Sequence, residues 1–269
     1  MKSKKRTKDT KGSSTKIAFI FFICVIFILL ASFAVKFFGV LNSSKFDGKS
    51  DFIIGVFEKD KTNVFILSPD SNTISVLDLQ NNGIKAKSIQ SYFDFPLDSE
   101  IQSNNFYSTS NIKKDIVNFF IKYRNSKSDL TIIDRIRIAL FVRSVSDKNV
   151  VLEKMSVKNL SNISEDDIKN LFSEKRIIDD GLTIEVVNAS GEDGIGNRAA
   201  RMITNIGGNV ILVTTAKENS NNSFVEYKEQ KSYTASRLGK IFNFNIKKTD
   251  RDSIADLIMV IGKNRGENL

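Results

Sequence analysis

Residues Ile17–Val35 read IAFIFFICVIFILLASFAV, nineteen consecutive positions without a charge. Coiled as a helix, that run is about 28 Å long, close to the hydrocarbon thickness of a bilayer. A soluble core helix of this length carries a polar face, and this one has none. The run also exceeds the h-region of about 7–15 residues found in cleaved signal peptides. No small-x-small cleavage site precedes a polar mature start, and Ala31-Ser32-Phe33-Ala34 is the nearest approach. Residues 17–40 therefore read as a retained transmembrane signal anchor whose first partner is the lipid bilayer. Lys2, Lys4, Lys5, Arg6, Lys8, Lys11 and Lys16 precede it. The positive-inside rule makes residues 1–16 a cytoplasmic tail and places everything from about residue 41 outside a cell membrane crossed once.

The anchor changes the meaning of the charge. The 269-residue chain holds 40 Lys+Arg against 31 Asp+Glu, a net +9 that invites a nucleic-acid reading. The tail and Lys36 carry eight of the basic residues and one acid, leaving 32 basic against 30 acidic residues beyond them. The folded part is nearly neutral, the tail sits against anionic lipid, and no nucleic-acid partner is expected. Histidine is absent and Cys24 is the single cysteine, inside the apolar run. That excludes imidazole bases and ligands, an intramolecular disulfide, thiolate metal clusters and a CxxC redox pair. Carboxylates, lysines, arginines and tyrosines remain for chemistry. The segment around Glu165, Asp166 and Asp167 does not make a metal site, because consecutive helical positions fan out and an acidic first turn already stabilises a helix. No catalytic residue, metal or cofactor is put forward.

Beyond the anchor, residues 41–50 (LNSSKFDGKS) read as a polar linker. Phe52–Phe57, Asn63–Leu67 and Thr73–Leu79 are three β-like runs separated by turn-prone residues, and DSEIQSNN reads as loop. Helical spacing follows from Asn111 to about Tyr123 and again from Thr131, with a further helix after Ser164. The chain leaves this first α/β domain (51–180) near Asp180-Gly181. The second domain, 181–263, has a clearer rhythm. Leu182–Val187 is a strand, Arg198–Ile206 a helix closed by Gly207-Gly208, and Val210–Thr214 a strand. Ser232–Phe242 is a helix and Ala255–Ile261 the last strand, with short strands offered at Phe224–Tyr227 and from Ile246. The expected fold class is α/β: a transmembrane helix, then two small extracytoplasmic α/β domains, the last in β-α-β-α-β order.

The turn NASGEDGIGN follows a strand and opens a helix, a geometry that presents backbone N–H groups to a phosphate or carboxylate. Its GEDGIG spacing differs from the dinucleotide fingerprint, and Glu192 and Asp193 oppose an anion there. Asn188, Gly191, Gly194 and Gly196 are the ligand-binding candidates on the turn; an ordinary tight turn explains the same residues. Arg198 and Arg201, three apart on the helix, are candidates for facing a sugar or an anionic wall polymer, or for lining a solvated face. Arg135, Arg137 and Arg143 cluster in the first domain, although positions 135 and 137 diverge on a helix.

The stretch IEVVNASGEDGIGNRAARMITNIGGNVILV resembles the C-terminal domain of LytR/CpsA/Psr-type cell-envelope proteins. The features that carry the resemblance are Val186–Gly191, Gly194–Ala200 and Gly207–Val213, together with the closing Asp256–Lys263. The resemblance implies an extracytoplasmic accessory domain in a bacterial envelope and supplies no activity. The family's catalytic domain, sometimes found upstream, moves glycopolymer from a polyprenyl-pyrophosphate carrier to peptidoglycan with arginines, aspartates and a divalent metal. Residues 52–79 are faintly similar to its opening. They lack its Arg-x-Asp and Ser-x-Pro-Arg-Asp, and no arginine lies between Lys36 and Arg124. A pyrophosphate clamp favours arginine's bidentate fork. The expectation is a non-catalytic binding or scaffolding protein at peptidoglycan or wall glycopolymer. A diverged glycopolymer transferase and a structural partner of an envelope protein complex are the alternatives.

Overall fold

The computed structural model describes residues 11–58, 61–80, 94–102, 106, 111–122, 127–156, 165–265 and 269. Most of the basic tail lies outside them. The chain divides into two units, Met1–Ser44 and Lys45–Leu269. In the first, a single helix α1 (Lys11–Asn42) contains the apolar run, and its Ala18–Asn42 part is long and apolar enough to cross a membrane. Phe19, Phe22, Phe27 and Leu30 stand exposed along it.

The second unit contains two sheets. The first orders its strands β5-β4-β1-β2-β3-β6. It comprises β1 (Phe52–Phe57), β2 (Lys61–Ser68), β3 (Thr73–Gln80), β4 (Ser99–Gln102), β5 (Lys127–Ser128) and β6 (Val150–Ser156). β1, β2 and β3 form the antiparallel meander announced by their three apolar runs, while β4 and β6 add in parallel to β1 and β3. β1 is apolar without alternation because both sheet faces are covered. On one face, α2 (Ile112–Lys122) and α3 (Ile132–Ser144) bury Phe52, Phe65 and Phe120; on the other, Ile53, Val64 and Leu77 meet Phe95, Leu97 and Phe172. Phe172 ends α4 (Glu165–Phe172), and its ring stacks on Phe95 at 4.4 Å. Both large helices start on side-chain caps. Lys114 N–H donates to Asn111 Oδ1, and Thr131 and Asp134 form a reciprocal capping box.

Two expectations fail here for tertiary reasons. The stretch 41–50 is no free linker over its second half: Phe46 is 1% exposed in the first core, against Phe52 and Phe141. Its N–H donates to the buried Asp134 carboxylate, and Arg137 donates to its carbonyl. The expected loop DSEIQSNN contains β4, whose backbone pairs with Ile54–Phe57 despite its polar sequence.

After α5 (Lys175–Asp180), Gly181 turns the chain with φ +61° into the second sheet, ordered β10-β9-β11-β7-β8. Its elements run β7 (Thr183–Asn188), α6 (Ile195–Asn205), β8 (Asn209–Thr215), β9 (Phe224–Tyr227), α7 (Tyr233–Phe242), β10 (Asn245–Lys248) and β11 (Leu257–Ile261). The order is thus β-α-β-β-α-β-β, with the two short strands added to the expected pattern. α6 and α7 bury Ala199, Met202, Leu238 and Phe242 against Ile184, Val186 and Met259. Gly207 takes φ +96° after α6, the left-handed conformation that suits glycine at a helix end.

Candidate functional site

In the second sheet β7, β8 and β11 are parallel, and the chain passes from β7 to β8 on one side while β11 pairs on the other. The carboxyl ends of β7 and β11, neighbouring parallel strands, therefore lie side by side at one edge of the sheet. The glycine-rich turn lies there. Asn188 ends β7, and its side chain holds the turn. Nδ2 donates to the Glu192 carbonyl at 2.7 Å, and Oδ1 accepts from Ser190 N–H at 3.1 Å and Ser190 Oγ at 2.6 Å. Gly191 and Gly194 have φ +80° and +82°, so the turn needs glycine for its path. Gly196 is needed for closeness: a Cβ there would stand 3.2 Å from both Asn188 Cβ and Val213 Cγ1.

The rim opposite the turn is made of amides and hydroxyls. Ser220 N–H donates to the Ala189 carbonyl at 2.8 Å, and Lys263 N–H donates to the Ser220 carbonyl at 2.9 Å. Ser223 is tied to Asn264 through both its N–H and its hydroxyl. Arg265 Nη1 lies 2.6 Å from Glu192 Oε2. The hydroxyls and amides of this edge are bonded to one another, and Arg265 is balanced by Glu192.

Arg198 and Arg201 are not brought to this edge. Their Nε atoms lie 3.4 and 2.6 Å from the Asp94 carboxylate, and Asn205 Nδ2 donates to the Asp94 carbonyl. The two arginines do share a helix face, as their spacing requires, and that face is turned to the segment before β4.

A second assembly was not visible in the sequence. Arg237, 2% exposed on α7, donates Nη1 and Nη2 to Asp98 and Nε to Glu174 Oε1 at 2.6 Å. Tyr233 Oη donates to Glu174 Oε2 at 2.9 Å, and Arg176 lies over the Tyr233 ring at 3.8 Å. Burial pushes the Glu174 carboxyl upward against the pull of Arg237. Asp51, hydrogen-bonded by Ser68 Oγ, is pushed up to about 7 by burial first and by the Glu174 charge second. An arginine inside the otherwise apolar set Ala235, Leu238, Ile241 and Phe242 was the available signal. Its acidic partners lie 63 and 139 positions away.

A cleft of about 280 Å³ lies beside α7, lined by Asp180, Leu182, Lys228, Glu229, Ser232 and Asp256 among others. Its polar walls are largely engaged. Asp180 accepts from Thr234 N–H and Oγ1, and Lys228 donates to the Ser253 carbonyl. Asp256 accepts from Thr183 N–H and Oγ1, bonds that hold its carboxyl below the usual carboxylate range. Among the described residues, no three His, Cys, Asp or Glu side chains come together as a metal site.

Residues 181–264 match the LytR_C family, described as "LytR cell envelope-related transcriptional attenuator". The match begins at Gly181, the left-handed residue where α5 ends. Among solved structures, the crystal structure of B. subtilis TagT is similar at TM-score 0.28 and 12% identity, covering 41% of this chain and 80% of that one. No curated protein matches.

Proposed function

We propose that the protein is a membrane-anchored, non-catalytic binding or scaffolding protein of the bacterial cell envelope, acting at peptidoglycan or wall glycopolymer. Residues 1–16 face the cytoplasm in this reading, 17–40 cross the membrane once, and both sheets lie outside. One observation carries it: a LytR-type C-terminal domain at 181–264 stands behind a helix that, alone among the described residues, is long and apolar enough to span a bilayer. The strand-end edge around Asn188, Gly191, Gly194 and Gly196 is the proposed contact surface. Its amides, hydroxyls and backbone groups suit the hydroxyl-rich face of a sugar better than a phosphate.

The arrangement of charge in the first sheet's layer favours binding over glycopolymer transfer. Arg137 is occupied by the Phe46 carbonyl, while Asp94 and Asp98 are held by arginines from α6 and α7. Cosedimentation of the detergent-solubilised full chain with purified peptidoglycan, stripped or bearing wall glycopolymer, tests the proposal. Retention by both fractions points to peptidoglycan, retention by the polymer-bearing one alone points to wall glycopolymer, and indifference to both overturns the proposal.

A further inference from the structure

We infer that the contact between the two sheet layers is a pH-sensitive joint, closed while Asp51 is protonated and opened at α7 when that carboxyl ionises. The joint is internal to the unit Lys45–Leu269 and does not involve α1. Three buried carboxyl groups meet there: Asp51 just before β1, Asp98 just before β4 and Glu174 just before α5. One buried cation faces them. Arg237 directs Nη1 and Nη2 to Asp98 and Nε to Glu174, so every nitrogen of its fork is committed. Asp51 receives a hydrogen bond from Ser68 Oγ, and among the described residues no lysine or arginine forms an ion pair with it.

The charges that face Asp51 come from both layers. Glu174, and Asp70 in the β2–β3 turn, oppose its ionisation, while Arg237 on α7 favours it. Arg176 on α5 lies 3.5 Å from Asp70, Tyr233 on α7 donates to Glu174, and Asp98 shares the Arg237 guanidinium. With Asp51 protonated, Asp98, Glu174 and Arg237 together already carry one negative charge in excess. Ionising Asp51 adds a second in a place closed to water, and burial and the Glu174 charge both resist it. Moving α7 away readmits water to the carboxylates.

The layers also meet at Asp94, which sits against Arg198, Arg201 and Asn205 of α6, beside the stacked rings of Phe95 and Phe172. Two cations face one carboxylate there, the reverse of the balance around Arg237. A rise in pH therefore adds charge on the Asp51 side and finds no acid in surplus on the other, which makes the Asp94 contact the pivot. Outside the buried set, α7 is tied to the first layer by Lys240, 3.4 Å from a half-exposed Asp47, and a pair of that kind parts at little cost. In the open joint Asp51 titrates near 4, against about 7 when closed. The closed-to-open ratio falls about tenfold per pH unit between those values and is level above them.

Double electron–electron resonance on the full chain in detergent micelles tests the joint, with spin labels on paired cysteines in a Cys24→Ser background. Lys49→Cys with Lys231→Cys, both at exposed positions, spans the joint; Thr204→Cys with Lys231→Cys is a reference pair inside the second layer. The expected result is a longer or broader spanning distance at about pH 8 than at about pH 5, with the reference distance unchanged. In Asp51→Asn the spanning distance should keep its acidic value at both. Asp51→Ser takes its place if the Asn variant loses the reference distance. A spanning distance that is the same at both pH values overturns the inference. One that lengthens equally without the Asp51 carboxyl also overturns it, because another group is then the trigger. Lengthening of both pairs together is unfolding of the whole unit, and it overturns a joint as well.

Discussion

Arg237 and Asp98 form a two-pronged ion pair, Nη1–Oδ1 at 2.5 Å and Nη2–Oδ2 at 2.8 Å, joining a helix of the second sheet's layer to the residue before β4 of the first. Asp98 Oδ2 also accepts the N–H of Ile53 in β1, so the clamp reaches a central strand. Both side chains are within 3% of full burial, where a charge is costly unless its partners are in place. The two sheet layers are therefore coupled through a buried pair as well as through apolar packing.

Replacing Arg237 with Leu leaves Asp98 and Glu174 buried beside an apolar side chain. The expected loss is about 3–5 kcal/mol, the range for removing one partner from a buried pair. Urea unfolding of the full chain in detergent micelles measures it. A loss within the range of exposed pairs, below about 1 kcal/mol, would show that water reaches the site.

Asp51 gives the stability a pH dependence. Its folded carboxyl titrates near 7 through burial and the nearby Glu174 charge, while an unfolded aspartate titrates near 4. Between those values the folded chain holds a proton that the unfolded chain has released. This group's contribution is therefore complete below about pH 4, declines as pH rises toward 7 and is lost above it. Asp51→Asn has nothing to titrate, so its urea midpoint gains on the wild type as pH rises through that window. Parallel midpoints for the two proteins from about pH 4.5 to 7.5 would mean that Asp51 is ionised throughout.

Phe46→Ala tests the docking of the chain onto α3. Deleting a phenyl ring from a filled site costs about 3–5 kcal/mol, and Phe46 sits against Phe52 and Phe141. The same unfolding measurement checks it. A change typical of exposed positions, within about 0.5 kcal/mol, would restore residues 41–50 to the status of a free linker.

What could be read from the sequence was what local chemistry decides. The β1–β3 meander, the α3 start near Thr131 and the glycine stop after α6 depend on alternation, capping and φ, each set within a few residues. β4 is different. Ser99, Glu100 and Gln102 have little strand preference, and the segment is extended because β1 offers it a parallel partner. Phe46 is one aromatic residue in a polar run, and its fate depends on a space between α3 and β1. Arg198 and Arg201 were visible as a helix face, but Asp94, which fills that face, lies more than a hundred positions earlier. The glycine-rich turn was legible as a turn down to its glycines, since Asn188 and the positive-φ positions are all local to it.

Two glycines separate backbone conformation from packing. At Gly194, φ is +82° and an added Cβ meets nothing within 4 Å, so Gly194→Ala costs only the left-handed conformation, about 1–2 kcal/mol. At Gly207, φ is +96° and the Cβ would stand 2.8 Å from Ile178 Cγ1, so Gly207→Ala must also displace Ile178. Urea midpoints should rank wild type above Gly194→Ala, and Gly194→Ala above Gly207→Ala. Equal losses would show that Ile178 yields without cost.

Arg198 and Arg201 decide between two uses of α6. If their guanidinium groups serve a wall polymer, the Arg198→Gln, Arg201→Gln double variant loses retention on polymer-bearing peptidoglycan and keeps its stability. If they serve Asp94, retention is kept and stability falls. The geometry favours the second outcome: both Nε atoms are directed at one carboxylate that is itself largely buried, while the Arg201 side chain remains 56% exposed. Because of that exposure the pair with Arg201 contributes at most about 1 kcal/mol. The expected result is unchanged cosedimentation with a modest drop in urea midpoint, and Asp94→Asn should reproduce that drop. Loss of binding with an unchanged midpoint would move the contact surface from the glycine-rich turn to the face of α6.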